Sequence, residues 1–311
     1  MTAARAHARR AFRVYDMNVQ SDIFFPELQT LSDNAATDII IRRGLNRQPE
    51  VSDPGNIRTY LDGSTGYLWL NIPEILSMEI TDGRSIAYER APGIEDDEVR
   101  LFLLGSGLGA ILMQRGHVVI HGNAIVTEKQ DGAIMCIGDT GAGKSTTAIA
   151  MMQRGLRVLA DDVCPLDAQG FVLPGMARAK LWEETARQLG IDTSGLSRIR
   201  STDAKFNLPL GSAHCATPQS VRAFYWLVPD DVADVSIRSV DGAEKFTVLR
   251  NNVYRPEYLR PLGLEVDYLR RLALIASNTP VFQILRPKKG FEIDSLLDTI
   301  LSNDHQQREN A

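Results

Sequence analysis

The feature that most constrains this chain is a glycine-rich stretch held between two apolar segments. Residues 138–145 fit the pattern G-x-x-x-x-G-K-[ST]. The apolar residues 133–137 before it predict a buried strand, and the apolar residues 148–152 after it predict a helix. A loop between a strand and a helix N-terminus turns backbone N–H groups toward one point, where the helix dipole also favours negative charge. The sequence therefore predicts a phosphate-binding loop.

The residue types within this loop suggest how it would hold a nucleotide. Gly138, Gly141 and Gly143 permit positive φ and a close approach of the backbone to phosphate oxygens. Lys144 would reach the β- and γ-phosphates of ATP, and the Ser145 hydroxyl would ligate Mg²⁺. The predicted nucleotide-binding residues are Gly138, Asp139, Thr140, Gly141, Ala142, Gly143, Lys144, Ser145 and Thr146. The alternative interpretation is a glycine-rich turn that binds no ligand.

Composition and charge exclude several other classes of protein. The 311 residues are 44% hydrophobic and 23% charged, which is ordinary for a globular protein with a sizeable core. A formal net charge of −5 argues against a general nucleic-acid binder. The apolar residues 101–113 are too few to span a bilayer, and the 3 cysteines form no C-x-x-C pair. We expect a cytoplasmic protein with no nucleic-acid partner and no membrane contact.

The spacing of apolar residues predicts an α/β protein with three parts. Residues 1–92 read as a small antiparallel sheet whose turns include residues 53–55 and 62–63, and a hairpin around 81–84. Residues 93–301 alternate helices and strands, as a mixed sheet with flanking helices requires. Residues 302–311 are polar and are expected to form a flexible tail.

A pair of carboxylates provides the second half of the predicted site. Asp161 and Asp162 follow the apolar residues 157–160, which we interpret as the parallel strand next to the loop strand. Parallel neighbours end at the same edge of a sheet, so the pair should lie beside the γ-phosphate. One carboxylate can hold Mg²⁺ and the other can accept a proton from an attacking hydroxyl. The alternative is an acidic strand end exposed at the surface.

A histidine precedes the loop on the strand before it. His121 follows the apolar residues 118–120, and from there it could donate to the same phosphates or orient a carboxylate. The alternative is a strand-end histidine with an ordinary hydrogen bond.

These motifs, taken in order, resemble the catalytic domain of bacterial HPr kinase/phosphorylase. The matching segments are residues 121–122, 138–145, 153–155 and 159–162. The resemblance implies a P-loop kinase core of the HPr-kinase type, preceded by the small β-rich N-terminal region. It assigns catalytic roles to His121, Lys144 and Asp162, with Asp162 as proton acceptor for a serine hydroxyl. It also implies that Ser145 binds Mg²⁺. With Asp162 as the proton acceptor, Asp161 is the predicted second Mg²⁺ ligand, and we count it among the catalytic residues.

The chain also departs from that family. Thr146 stands where the family has glutamate, and the later Leu-Glu-Ile-Arg-Gly and Arg-x-Gly-Arg-Asn motifs are absent. The layout of residues 12–15, 99–103 and 181–182 is closer to HPr-kinase-related proteins of peptide biosynthesis, some of which are similar to kinases of the C-terminal serine of lasso peptide precursors.

The preferred hypothesis is an ATP- and Mg²⁺-dependent serine kinase whose acceptor is a peptide or small protein, such as a lasso precursor peptide. Arg178, Lys180 and Lys205 are candidate contacts for an anionic group, although such side chains are more often solvated surface charges. Two other hypotheses remain open: a nucleotide-gated binding module with slow ATPase activity, and a kinase of a small metabolite.

Overall fold

The computed structural model describes residues 9–32, 34–46, 60–129, 131–200, 204–290 and 293–309. Its residue contacts divide the chain into two compact units. The first contains Met1–His117 and Arg255–Val266, and the second contains Val118–Tyr254 and Asp267–Ala311. The first unit therefore extends past the boundary predicted at residue 92. The predicted turn at residues 53–55 lies outside the described residues.

The first unit is built on an eight-stranded sheet with the order β3-β1-β2-β4-β8-β7-β6-β5. Its strands are β1 (Arg10–Val14), β2 (Met17–Ser21), β3 (Gln29–Leu31), β4 (Ile39–Arg43), β5 (Tyr60–Ser64), β6 (Tyr67–Ile72), β7 (Leu76–Thr81) and β8 (Ser85–Arg90). The sheet is mixed rather than antiparallel, because β4 runs parallel to both β2 and β8. The chain enters and leaves β4 through long connections, which permit parallel pairing where a tight hairpin does not.

Two turn predictions in this unit had different outcomes. The hairpin around residues 81–84 joins β7 to β8 through three residues, of which Asp82 and Gly83 are both at positive φ, 51° and 62°, as the central residues of a type I′ turn must be. The turn predicted at Asp62 and Gly63 is wrong, because both residues lie inside β5. A Cβ at Gly63 would lie 2.9 Å from the Pro261 Cβ, so this glycine serves a close backbone approach instead.

A glycine-containing helical segment belongs to the same unit, although the sequence analysis assigned it to the catalytic domain. It comprises α1 (Asp96–Phe102), a π-helical turn at Leu103–Gly107 and α2 (Leu108–Gln114). A Cβ at Gly107 would lie 3.0 Å from Ile86 Cδ1 and 3.4 Å from Met78 Sδ. The glycine thus lets the helix lie directly on β7 and β8, and this contact is the reason that the segment groups with the first sheet.

The second unit combines a seven-stranded mixed sheet with helices, so the predicted α/β class is confirmed at this level. Its elements are β9 (Val118–Val126), β10 (Ala133–Ile137), α3 (Lys144–Gln153), β11 (Arg157–Leu166), β12 (Phe171–Val172), β13 (Arg178–Trp182), α4 (Glu183–Gln188), β14 (Lys205–Pro209), β15 (Gln219–Asp230), β16 (Ser236–Val240), α5 (Gly242–Asn251), α6 (Glu265–Asn278), β17 (Val281–Pro287) and α7 (Ile293–Glu309), and α6 begins two residues before the second unit resumes. Strands β10, β15 and β17 are mutually parallel. Helices α3 and α7 cover one face of them with apolar side chains that include Ala148, Leu297 and Ile300.

The position of β9 corrects the predicted topology. It is antiparallel to β10 on one side and to β11 on the other, so β10 and β11 run in the same direction but are not neighbours. The short turn after β9 folds β10 back against it, and α3 must therefore cross β9 before the chain returns to the sheet as β11.

A further segment differs from the sequence prediction. The helix predicted from Leu181 begins at Glu183, because Leu181 and Trp182 pair with Phe206 and Lys205 in the β13–β14 ribbon.

Among the described residues, no helix is long and apolar enough to cross a membrane.

The predicted flexible tail is helical as far as Glu309, the last described residue. Asp304 explains why, because its side chain is only 8% exposed and pairs with two arginines. Its Oδ1 accepts from Arg222 Nε at 3.2 Å, and its Oδ2 accepts from Arg308 Nη2 at 2.7 Å. These ion pairs fix the end of α7 against β15.

We predict that Asp304→Ala lowers the free energy of unfolding in urea by about 2 kcal/mol, because two largely buried guanidinium groups lose their buried partner and keep only the more exposed Asp131, at 3.7 Å from Arg222 and 3.3 Å from Arg308. Asp298→Ala is the matched control on the same helix. Asp298 also pairs with an arginine, Arg154, but is 68% exposed, so its loss should cost less than about 1 kcal/mol. Equal effects of the two substitutions would contradict a buried anchor at Asp304.

Candidate active site

The glycine-rich loop joins β10 to α3 and has the backbone that its sequence predicts. Gly138, Gly141 and Gly143 have φ values of 142°, 83° and 98°. A Cβ at Gly138 would lie 2.5 Å from the carbonyl oxygen of Leu227, so no other residue fits there. Gly143 is the N-cap of α3, and no side chain caps the helix. The first N–H groups of α3 are therefore left for an anion.

Two side chains from distant parts of the sequence hold this loop in shape. Asn252 Oδ1 accepts from the Gly138 N–H at 2.7 Å. Arg286 donates from Nε to the Ala142 carbonyl at 2.9 Å and from Nη2 to the Gly141 carbonyl at 3.3 Å. Because C=O and N–H point in opposite directions across a trans peptide, these bonds turn the following N–H groups away from Arg286.

Lys144 folds back over the loop. Its Nζ donates to the Gly138 carbonyl at 2.7 Å and to the Asp139 carbonyl at 3.1 Å. Burial lowers the pKa of Lys144, against the attraction of Asp162, Asp139 and Asp161. The ammonium group thus lies on the loop itself, bound to neutral oxygens that a phosphate could replace.

The register of three strands brings the carboxylates to this loop. Gly122 on β9 pairs with Ile137, the last residue of β10, and with Asp162 on β11. A Cβ at Gly122 would lie 2.6 Å from the Cys136 carbonyl oxygen, so the close pairing requires glycine. The prediction that β11 ends at Asp162 is wrong, because the strand continues to Leu166.

Asp161 lies against the first turn of α3. Its Oδ1 is 3.4 Å from Ser145 Oγ, and its Oδ2 accepts from the Lys180 backbone N–H at 2.8 Å. Burial, and after it the negative charge of Asp162, raises the pKa of Asp161.

Asp162 has a different environment from its neighbour. Its backbone is at φ 72°, an uncommon value for an aspartate inside a strand. Its Oδ2 accepts from Lys180 Nζ at 2.6 Å, and its Oδ1 lies 3.5 Å from His121 Nδ1. Burial alone would raise the pKa of Asp162, but the charge and hydrogen bond of Lys180, with His121 beside them, hold this pKa well below its usual range. Asp162 is therefore a carboxylate at neutral pH.

His121 donates rather than accepts at this site. Its Nδ1 lies 3.1 Å from the Asp162 carbonyl oxygen and close to the Asp162 carboxylate, and both are acceptors, so Nδ1 carries the proton. Burial lowers the pKa of His121, although Asp162 opposes the shift. A neutral ring of this tautomer leaves Nε2 as an acceptor.

The structure therefore brings together His121, Asp161, Asp162 and the loop residues Lys144 and Ser145. Ser145 and Asp161 fit a Mg²⁺ site, since they place two oxygen donors side by side at the loop. No group of three or more His, Cys, Asp or Glu residues among those described could hold a metal ion. Two protein ligands suit Mg²⁺, which in nucleotide sites takes its remaining ligands from phosphate and water.

Of the other predicted loop residues, Thr146 borders a cavity. Thr146 hydrogen-bonds the Thr185 hydroxyl at 3.2 Å, and Asp139 and Thr140 are exposed in the turn. A cavity of about 240 Å³ lies beside the loop. Its lining includes Gly141, Gly143, Thr146, Arg286, Lys288 and Leu296.

Sequence reasoning missed three contributions to this site. It found Lys180 only as a candidate anion contact, whereas the side chain is the partner of Asp162. It did not find Asn252 or Arg286. For Arg286 a signal existed, because it lies near the carboxyl end of β17, a strand parallel to β10 through β15, where ligand-binding residues of open α/β sheets collect.

Comparisons with known proteins add little to this geometry. No family model and no curated protein matches the chain. Among solved structures, the HPr(Ser) kinase/phosphatase from Coxiella burnetii matches over 62% of this chain and 99% of its own length, at 15% sequence identity and a TM-score of 0.29. Similarity at this level carries no argument about function. The class that the chain's own structure defines is a mixed α/β protein with a strand, glycine loop and helix beside a pair of aspartates.

We predict that Lys180→Gln raises the pKa of Asp162 from below its ordinary value of about 3.9 to above it, because burial then acts without the largest opposing charge. The carboxyl ¹³C shift of Asp162 measures this directly. A carboxyl group whose pKa is lower in the folded than in the unfolded state stabilises the fold above the unfolded pKa, and this contribution is lost as the pH falls. A carboxyl group whose pKa is higher in the folded state destabilises the fold as the pH rises. The difference in unfolding free energy between wild type and variant should therefore grow as the pH rises from the depressed pKa of Asp162 in the wild type to its raised pKa in the variant.

Lys205→Gln is the control for this experiment, because Lys205 lowers the pKa of Asp162 less than Lys180 and His121 do. An Asp162 titration that moves equally in both variants would contradict the assignment of Lys180 as its partner.

Proposed function

We propose that this protein is a kinase that transfers the γ-phosphate of ATP to a serine hydroxyl of a peptide or small protein. The observation that carries the proposal is the position of Asp162 in the sheet. Asp162 and Ile137 pair with the same residue, Gly122, from its two sides, and the glycine loop starts directly after Ile137. An ionised carboxylate beside a phosphate cradle is the arrangement that transfer to a hydroxyl requires.

The reaction would use the two aspartates differently, because their environments move their pKa values apart. Asp162 would accept a hydrogen bond from the serine hydroxyl and then its proton, while the oxygen forms a bond to the γ-phosphorus and the bond to ADP breaks. A low pKa suits this role in a loose transition state, where the carboxylate mainly orients the hydroxyl and the proton leaves late. Lys180 and His121 would keep the carboxylate in place.

The loop side of the site would stabilise the phosphates. The N-terminal N–H groups of α3 and the ammonium of Lys144 would contact the phosphate oxygens, with Lys144 exchanging the Gly138 and Asp139 carbonyls for them. Ser145 and Asp161 would hold Mg²⁺, which when bound neutralises charge on the phosphates. The cavity bordered by Gly143 and Arg286 would take the nucleoside.

The acceptor class rests on the resemblance described above and on the exposure of the site. The side chains of Asp162 and Lys180 retain 19% and 16% exposure, so a hydroxyl on a larger chain can approach them from solvent. The C-terminal serine of a lasso precursor peptide is the narrowest acceptor that we propose.

We predict that Asp162→Asn lowers phosphate transfer from [γ-³²P]ATP to an array of serine peptides by about 10²–10⁴-fold, since the general base is lost. Nucleotide affinity, measured by calorimetry, should not fall, because the substitution leaves the loop intact and removes a negative charge that acts on Lys144. Asp234→Asn is the control, since Asp234 is an exposed carboxylate in the turn after β15.

Two results would overturn the proposal. Undiminished transfer by Asp162→Asn would remove Asp162 from the reaction. ADP formation without any phosphopeptide would instead identify a nucleotide-gated binding module.

A further inference from the structure

The β13–β14 ribbon has two faces of opposite character. One face carries Ala179 and Leu181, which are fully buried in an apolar cluster that includes Ile149 of α3. Alternation along a strand places Arg178, Lys180 and Trp182 on the other face. The cross-strand partners of Lys180 and Trp182 are Asn207 and Lys205, so these join the same face. The outer face of the ribbon is therefore cationic, and it reaches the predicted active site through the contact of Lys180 with Asp162.

Arg178 is the unusual member of this face because it is a buried cation without an anion. Its exposure is 8%, and its side-chain partners among the described residues are Asn207 and Met176, neither of which is an anion. Its Nη1 donates to the neutral Oδ1 of Asn207. Its Nη2 has only the Met176 sulfur at 3.6 Å, and its Nε has no hydrogen-bond partner. Buried arginines are normally paired, and an unpaired one costs several kcal/mol.

The free donors of Arg178 have a specific geometry. Nε and Nη2 form the side edge of the guanidinium fork, which binds a carboxylate through two parallel hydrogen bonds. The group that covers this edge is the thioether of Met176, a flexible side chain and a weak acceptor that a ligand can displace. The Asn207 contact draws the guanidinium toward Lys180, whose own Cα lies two residues, or about 7 Å, further along the strand.

We propose that Arg178 binds a carboxylate of the acceptor, with Lys180 and Lys205 adding positive charge on the same face. This assignment rests on the proposed function, since Lys180 on the same face is the partner of Asp162, which would receive the hydroxyl. A peptide whose reacting serine is its last residue carries a carboxylate next to that hydroxyl. Trp182, which is 50% exposed and lies 4.8 Å from Lys205 Nζ, would line the approach of the preceding residues.

The test is binding of two short probes without nucleotide, so that it does not depend on phosphate transfer. Acetyl-Gly-Ser with a free carboxylate and the same dipeptide as its amide are titrated into the full chain and followed by NMR. We expect the acid to bind at least about tenfold more tightly than the amide, a difference of about 1.4 kcal/mol. Equal affinities, or no binding of the acid at about 10 mM, would overturn the proposal.

Asn207→Asp is the most informative variant because it places a carboxylate of the same size next to Arg178. We expect it to raise the melting temperature, since the buried cation gains a partner, and to abolish the preference for the acid. Arg178→Gln should also abolish the preference, and it serves as the second variant should Asn207→Asp fail to fold.

Lys144→Met distinguishes this site from the glycine loop, which is itself suited to anions. The preference for the acid should survive in Lys144→Met. A preference lost in Lys144→Met and kept in Asn207→Asp would place the carboxylate on the loop and refute the role of Arg178. Failure of phosphate transfer in the peptide array would leave this binding result unaffected, so the two proposals can fail separately.

Discussion

The pairing of β9 with two strands at once is the constraint on which the site depends. Its backbone hydrogen bonds to β10 and β11 fix which residues stand side by side, and the side-chain period of two makes a shift by one residue turn every side chain to the opposite face. The strands pack most tightly at Gly122, because a Cβ there would lie 2.6 Å from the Cys136 carbonyl oxygen. The position of Asp162 relative to the glycine loop is therefore fixed by the strand register of the sheet.

Electrostatic asymmetry is built onto this frame. Two adjacent carboxylates would repel each other, and the fold separates their behaviour by giving them different partners. Asp161 accepts hydrogen bonds from Ser145 and a backbone amide, and burial with the charge of Asp162 raises its pKa although Lys180 opposes the shift. Asp162 instead contacts the Lys180 ammonium directly, which lowers its pKa. Asp161 is thus the carboxylate that gains most from a bound cation, and Asp162 is the one that is ionised without it.

Local signals in the sequence predicted local structure well. The glycine loop and the hairpin at Asp82 and Gly83 each depend on a few neighbouring residues whose backbone preferences are strong. The α/β class followed from the period of the apolar residues. The loop residues and the two aspartates were also predicted to meet, and they do so in the structure.

The errors concern contacts between residues far apart in the sequence. Nothing local shows that β9 lies between β10 and β11, or that Leu181 and Trp182 pair with β14 instead of starting a helix. The polar composition of residues 302–311 suggested a flexible tail, but the Asp304 ion pairs depend on Arg222, which is 82 residues away. Asn252 and Arg286 could not be predicted for the same reason, because they bind loop residues that are 114 and 144 positions away in the sequence.

A crystal structure with Mg²⁺ and a non-hydrolysable ATP analogue tests the central claim most directly. The account predicts that Lys144 Nζ leaves the Gly138 carbonyl for the terminal phosphates, that Ser145 and Asp161 face the metal, and that the γ-phosphate lies on the Asp162 side of the loop. A nucleotide bound elsewhere, or one on the loop whose γ-phosphate points away from Asp162, would contradict it.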